Sequence, residues 1–196
     1  MRQQRSRGNG PGRADRGGPA RHLPGVLLAL VLALPATAQE AASQPAAGPQ
    51  PGWQLQLGAG RFDVSPRRRD EPAELAALQL ALGPRKAGLR PVVGFGRTSD
   101  EGRYVYLGAL RDFDLGARWT LTPQFAASWF EPGDGLDLGH ELEFLSSLQR
   151  ALRLGQRSHL GLAVQHLSNA GLSDDNPGAE NVLVTWRWRF GAASPR

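Results

Sequence analysis

There is no cysteine in this chain of 196 residues, so no disulfide can staple the fold and no thiolate cluster can hold a metal. No apolar run reaches the ~20 residues that a helix needs to cross a bilayer; the run Val26 to Leu34 is far too short. A surplus of positive charge is also missing from most of the sequence. The formal net charge is +5, but within residues 1–38 Arg2, Arg5, Arg7, Arg13, Arg16 and Arg21 stand against Asp15 alone. Of 23 basic and 18 acidic side chains, 17 of each then remain for the rest of the chain. With the basic excess confined to the leader, a nucleic-acid partner is not expected.

The leader is Arg-rich, then apolar from Val26 to Leu34, then small at Ala36-Thr37-Ala38 before Gln39. That layout predicts a cleaved secretory signal peptide over residues 1–38. Residues 39–52 are small, Pro-rich and unpatterned, and read as a flexible N-terminal tail. An exported chain without disulfides then has two outlets: a soluble periplasmic or secreted domain, or an outer-membrane barrel.

What the chain does have, from Trp53 onward, is alternation. Trp53, Leu55, Leu57 and Ala59 alternate with Gln54, Gln56, Gly58 and Gly60; Leu78, Leu80 and Leu82 oppose Ala77, Gln79 and Ala81; Leu89, Val93 and Phe95 oppose Arg90, Gly94 and Gly96. A period of two marks strands with one apolar face. Residues 103–111 are strand-like without an obvious outer face. The fifth run sets Leu115, Ala117, Trp119, Leu121, Phe125, Ala127 and Trp129 against Gly116, Arg118, Thr120, Thr122, Gln124 and Ser128. Pro123 interrupts it and removes a ladder donor, for which a bulge is the simplest accommodation. A sixth strand runs from about Leu138 to Leu152, and two more occupy His159–Ser168 and Glu180–Phe190.

Eight such strands over 53–190 predict an all-β fold: an eight-stranded antiparallel outer-membrane β-barrel, followed by a C-terminal extension, residues 191–196. A soluble sandwich or lipocalin-like barrel has the same parity with the apolar face turned inward. Three features favour the membrane barrel: charge opposite the apolar face, the ending Trp186, Trp188, Phe190, and the Trp119–Trp129 pair. At ~3.3 Å per residue and a tilt near 45° that pair projects to about 23 Å, close to the ~25 Å apolar band. Arg118, Arg187 and Arg189 are expected inside, facing Glu141 and Glu143. With both termini periplasmic, the loops Ser65–Ala73, Thr98–Gly102, Glu131–Asp137 and Asn169–Ala179 face outward. Gly83–Gly88 and Asp112–Asp114 are the short periplasmic turns.

His166, Ser168 and Glu180 fall on the apolar parity beside the last outward loop. Two residues apart on a strand, His166 and Ser168 share a face, with Cα atoms ~6.6 Å apart. A nucleophile, a base and a carboxylate gathered there suggest that Ser168 attacks, His166 takes its proton and Glu180 holds the imidazole. A bare His-x-Ser has a bland reading as a strand end, with Glu180 capping a loop. The longer string His166-Leu167-Ser168-Asn169-Ala170-Gly171, followed by Asn176-Pro177-Gly178-Ala179-Glu180, resembles the active-site signature of the lipid A 3-O-deacylase (PagL) family. The resemblance implies an eight-stranded outer-membrane barrel that hydrolyses the ester-linked 3-hydroxy acyl chain at position 3 of lipid A. It implies His166, Ser168 and Glu180 as catalytic residues, and an oxyanion hole at Asn169 and the backbone amides of Ala170 and Gly171. Lipopolysaccharide is then the substrate, met at the outer leaflet, with no cofactor and no metal.

Other features carry less. Arg67, Arg68 and Arg69 could meet lipid A phosphates, although a solvated loop is the preferred reading. His140 and His159 read as structural. Lipid-facing Trp could pack against a second copy, which leaves a homodimer open without the sequence deciding the oligomeric state. The alternatives are a non-catalytic outer-membrane barrel of structural or adhesive type, and a soluble lipid-binding barrel.

Overall fold

A computed structural model describes residues 52–65, 71–84 and 86–191. The expected signal peptide, nearly all of the tail, Arg67 to Arg69 and the C-terminal extension beyond Gly191 lie outside the described residues. The strands are β1 (Trp53–Phe62), β2 (Ala73–Ala81), β3 (Leu89–Thr98), β4 (Arg103–Arg111), β5 (Phe113–Leu115), β6 (Trp119–Glu131), β7 (Leu142–Arg153), β8 (Ser158–Ser168) and β9 (Ala179–Phe190). Each pairs antiparallel with its neighbours in the order β4-β3-β2-β1-β9-β8-β7-β6-β5, and a β4–β6 ladder closes the ring. Closure leaves β5, paired with β6 alone, as the one strand without a partner on both sides among the described residues, and so removes most of the free edges that hydrocarbon would not tolerate.

β4 and β5 are two parts of one stave, so the barrel has eight. Leu110 lies opposite Gln124 and Phe113 opposite Leu121, the same register on either side of the break. Continuing that register sets Pro123, which has no N–H, against the end of β4. The bulge expected at Pro123 is not there: the β6–β7 register runs through the Pro123–Leu148 pair without an inserted residue. The interruption is met by the neighbouring stave parting instead. The turn of this hairpin is also displaced from the expected Asp112–Asp114 to Gly116–Arg118, between Leu115 and Trp119. Gly116 takes a positive φ of 70° there, which glycine adopts without strain.

The parity places the apolar groups outside. Leu107 is 68% exposed, and Leu57, Phe125, Val184, Trp186 and Trp188 are likewise uncovered. Gln54, Gln79, Thr120, Thr122, Gln149 and Arg187 are buried within. A soluble barrel requires the opposite arrangement, because exposing this many large apolar groups to water is prohibitive. The chain is therefore an outer-membrane barrel.

The buried arginines gather at one end of the lumen, and this corrects the expected pairing of Arg118, Arg187 and Arg189 with Glu141 and Glu143. Toward the periplasmic end Asp112 is the hub: Arg187 Nη1 lies 2.7 Å from its Oδ1, while Arg90 Nε and Arg189 Nη2 each lie 3.4 Å from its Oδ2. Gln54 Nε2 and Thr122 Oγ1 donate to the same carboxylate at 2.8 Å. The arginines thus meet Asp112 rather than Glu141 and Glu143. Glu141 is exposed just before β7, Arg118 is exposed in the hairpin turn, and only Glu143 is inside, further up the barrel. Toward the outer end an apolar cluster, with Phe62 stacked on Phe130 at 6.1 Å and Leu75, Leu138, Leu145 and Leu167 around them, shares the lumen with the buried polar side chains of Thr98, Ser128, Glu143 and Asn181. Leu138, expected to open a strand, is a buried loop residue. On β4, Tyr104, level with Phe130, and Tyr106 below it lie over their register partners Gly96 and Gly94, where any Cβ would enter the ring. This fixes the inner face of β4, which the sequence leaves open.

Candidate active site

Period-two parity and the β8–β9 register assemble the site. His166 and Glu180 are direct register partners, and both project from the outer wall at the end where β8 leaves for its loop. His166 Nδ1 lies 2.9 Å from Glu180 Oε1. A carboxylate only accepts, so Nδ1–H donates to it and Nε2 is left as the acceptor. The imidazole side chain is 42% exposed and the carboxylate 22%, an accessible pair rather than a core one. Ser168 follows two residues on, on the same face, and its hydroxyl makes no hydrogen bond among the described residues. Gly178 closes the cluster. A Cβ on it would lie 3.2 Å from His166 Cε1 and 3.7 Å from Ser168 Cβ, and its φ is +62°. The backbone here passes flush against the imidazole and the serine, an approach glycine permits.

The loop after Ser168 is built rather than loose. Asn169 O accepts from Leu172 N at 3.1 Å, and Ala170 and Gly171 between them have φ of 55° and 84°, as a type I′ turn requires. The Asn169 side chain is wholly buried. Its Nδ2 donates to Leu138 O at 3.0 Å and Asp175 O at 2.9 Å, and its Oδ1 accepts from Gly171 N at 2.9 Å. Asn169 N in turn donates to Asn176 Oδ1 at 3.2 Å. Of the donors expected at an oxyanion hole, those of Asn169 and Gly171 are thus engaged within the loop. The exposed Ala170 amide has no acceptor among the described residues. Through Leu138 the β8–β9 loop is also tied to the β6–β7 loop.

On the β7 side, His166 faces Ser146 and Ser168 faces Phe144, whose ring stacks on Phe125 at 6.0 Å. Gly178, Asn176 and Ser146 join the site only in the folded structure. For Ser146 there was a signal: it breaks the outward series Leu142, Phe144, Leu148 with a hydroxyl. Gly178 and Asn176 gave none beyond their place in the motif, since their contacts need the folded loop. His140 accepts from Leu142 N at 2.9 Å and so shapes a loop; His159 is buried in the lumen. Among the described residues no group of three or more His, Cys, Asp or Glu could hold a metal.

Residues 101–189 match the family model described as lipid A 3-O-deacylase (PagL). No curated protein matches the chain. Among solved structures, that of the outer membrane enzyme PagL is 16% identical, with 70% of this chain and 99% of that one covered and a TM-score of 0.54. Neisserial surface protein A (NspA) is 15% identical over 71% of this chain and 97% of its own, with a TM-score of 0.52. A de novo designed transmembrane β-barrel is 8% identical over 72% and 97%, with a TM-score of 0.51. At such identities the likeness is one of fold, and a fold shared with a surface protein and a designed barrel does not specify chemistry. The sequence likeness to the lipid A 3-O-deacylase (PagL) family thus lies over residues 101–189, the span that carries His166, Ser168 and Glu180.

Proposed function

We propose that this chain is a serine esterase of the outer leaflet that removes the ester-linked 3-hydroxy acyl chain at position 3 of lipid A. The observation that carries the reading is the 2.9 Å contact of His166 Nδ1 with Glu180 Oε1, made on the lipid-facing wall with Ser168 on the same face. A charged pair placed toward lipid costs stability, up to ~2–4 kcal/mol at mid-membrane and less near the rim. A purely structural barrel has no use for it there.

In the proposed mechanism the lipid A headgroup rests at the rim and its acyl chains lie along the wall. Ser168 Oγ attacks the ester carbonyl carbon as His166 Nε2 takes the hydroxyl proton, and Glu180 stabilises the resulting imidazolium. The tetrahedral oxyanion is met by the Ala170 amide, with Asn169 holding the turn that presents it. Collapse breaks the bond to the sugar 3-oxygen, which leaves with the proton from His166. Water, deprotonated by the same imidazole, then hydrolyses the acyl-serine and releases a 3-hydroxy fatty acid. No cofactor enters these steps.

Mass spectrometry of lipid A from cells expressing the chain tests this. Loss of one 3-hydroxy acyl chain with the wild type, and none with Ser168→Ala at equal barrel levels, is the expected outcome. Deacylation by Ser168→Ala would remove the serine from the mechanism, and unchanged lipid A with both would leave a non-catalytic barrel.

A further inference from the structure

On the outer wall, Ser146 is a polar side chain near the site that the mechanism above does not use. Apart from Ser158, Arg150 over Trp119 and the charged groups at the two rims, outward positions are filled by Leu, Val, Ala, Phe, Trp and Pro. Among the described residues the departures are His166, Ser168, Glu180 and Ser146. Ser146 is exposed, is the register partner of His166 across β7–β8, and lies opposite Phe125 across β6–β7. Its side chain makes no hydrogen bond among the described residues. A hydroxyl facing hydrocarbon loses the hydrogen bonds it would have in water, so leaving it unpaired is unfavourable.

Its position matches one atom of the proposed substrate. β7 descends from the outer rim, so Ser146 lies one outward position deeper than Phe144, which is level with Ser168. Ser168 and Ser146 are diagonal neighbours, with Cα atoms about 7–8 Å apart. An acyl chain whose carbonyl is within attack range of Ser168, ~3–3.5 Å from its Oγ, runs from the rim down this wall. Its 3-hydroxyl, two carbons beyond the carbonyl, passes beside Ser146. Phe144 and Leu148 flank the serine on its own strand and would wall the chain on either side.

We propose that Ser146 is a specificity residue which hydrogen-bonds the 3-hydroxyl of the acyl chain being removed and so selects 3-hydroxyacyl over unsubstituted acyl esters. This rests on the deacylase reading and names the acyl feature that the site recognises. The bond is neutral and partly exposed, so the preference it provides is about five- to tenfold in kcat/KM.

The test uses the full chain in detergent micelles, with two lipid A analogues of equal chain length, one carrying a 3-hydroxyacyl ester at position 3 and the other its 3-deoxy counterpart. Wild type should prefer the hydroxylated ester about five- to tenfold. Ser146→Ala should lose that factor on the hydroxylated ester and stay within about twofold on the deoxy ester, while Ser146→Thr, which keeps a hydroxyl, retains the preference. Equal cleavage of both esters by the wild type overturns the assignment while leaving the esterase standing. Loss of activity on both esters by a folded Ser146→Ala overturns it too, since the residue would then act in the chemistry. Wild type that cleaves neither ester overturns the deacylase reading along with it.

Discussion

Glu180 reaches His166 across the β8–β9 seam although fourteen residues and a loop separate them in the chain. The register, not the sequence interval, sets this contact, and the carboxylate determines which imidazole nitrogen is left to act as base. Glu180→Gln keeps the shape but removes the charge that stabilises an imidazolium. Deacylation should fall by about 10²–10⁴ with the barrel intact. Rates measured on a lipid A analogue check this; a variant within tenfold of wild type would make Glu180 a bystander.

Gly178 is the second point of leverage. An alanine there must adopt a positive φ, costing about 1–2 kcal/mol, and its Cβ would press on His166 Cε1. Gly178→Ala should therefore lower kcat by tenfold or more while KM changes little, because the ring moves and the lipid-binding wall does not. Steady-state kinetics with thermal unfolding alongside separate the two effects.

Asn169 distinguishes a latch from an oxyanion donor. With its amide spent on Leu138 O, Asp175 O and Gly171 N, Asn169→Ala strands buried partners and should cost about 1–3 kcal/mol of stability as well as rate. A variant that is slow but unfolds at the wild-type temperature would mean that the side chain turns toward substrate instead.

At the far end of the lumen, Asp112→Asn leaves Arg90, Arg187 and Arg189 without their shared carboxylate. Breaking a buried ion pair in this way typically costs about 3–5 kcal/mol. The unheated barrel should then lose its compact gel mobility at lower temperature than wild type, yet surviving folded protein should deacylate normally, because the hub lies at the opposite end from Ser168.

Much of this molecule is legible in the chain itself. The alternation of Leu78, Leu80 and Leu82 with Gln79 and Ala81, or of Val184, Trp186 and Trp188 with Thr185 and Arg187, assigns faces directly, because a strand's side chains alternate whatever it pairs with. The same parity places His166, Ser168 and Glu180 on one side. Features that alternation does not determine depend on contacts longer in range. Arg118 has the parity of a lumen residue but sits in a turn, since the parting of the stave opposite Pro123 shifts the hairpin to Gly116–Arg118.

The partner of Arg187 is a similar case. Glu143 was as reasonable a choice as Asp112, 75 residues away, until barrel closure decided which staves stand at the same height. By itself, then, the sequence determined the strands, their two faces and the residue types available for chemistry, all of which follow from a local period of two. Only the tertiary structure decided that the apolar face turns outward, that Asn169 is latched to Leu138 and that Ser146 stands beside His166. Alternation is unchanged when a barrel is turned inside out or its strands slide by two, whereas a closed ring of hydrogen bonds admits one register.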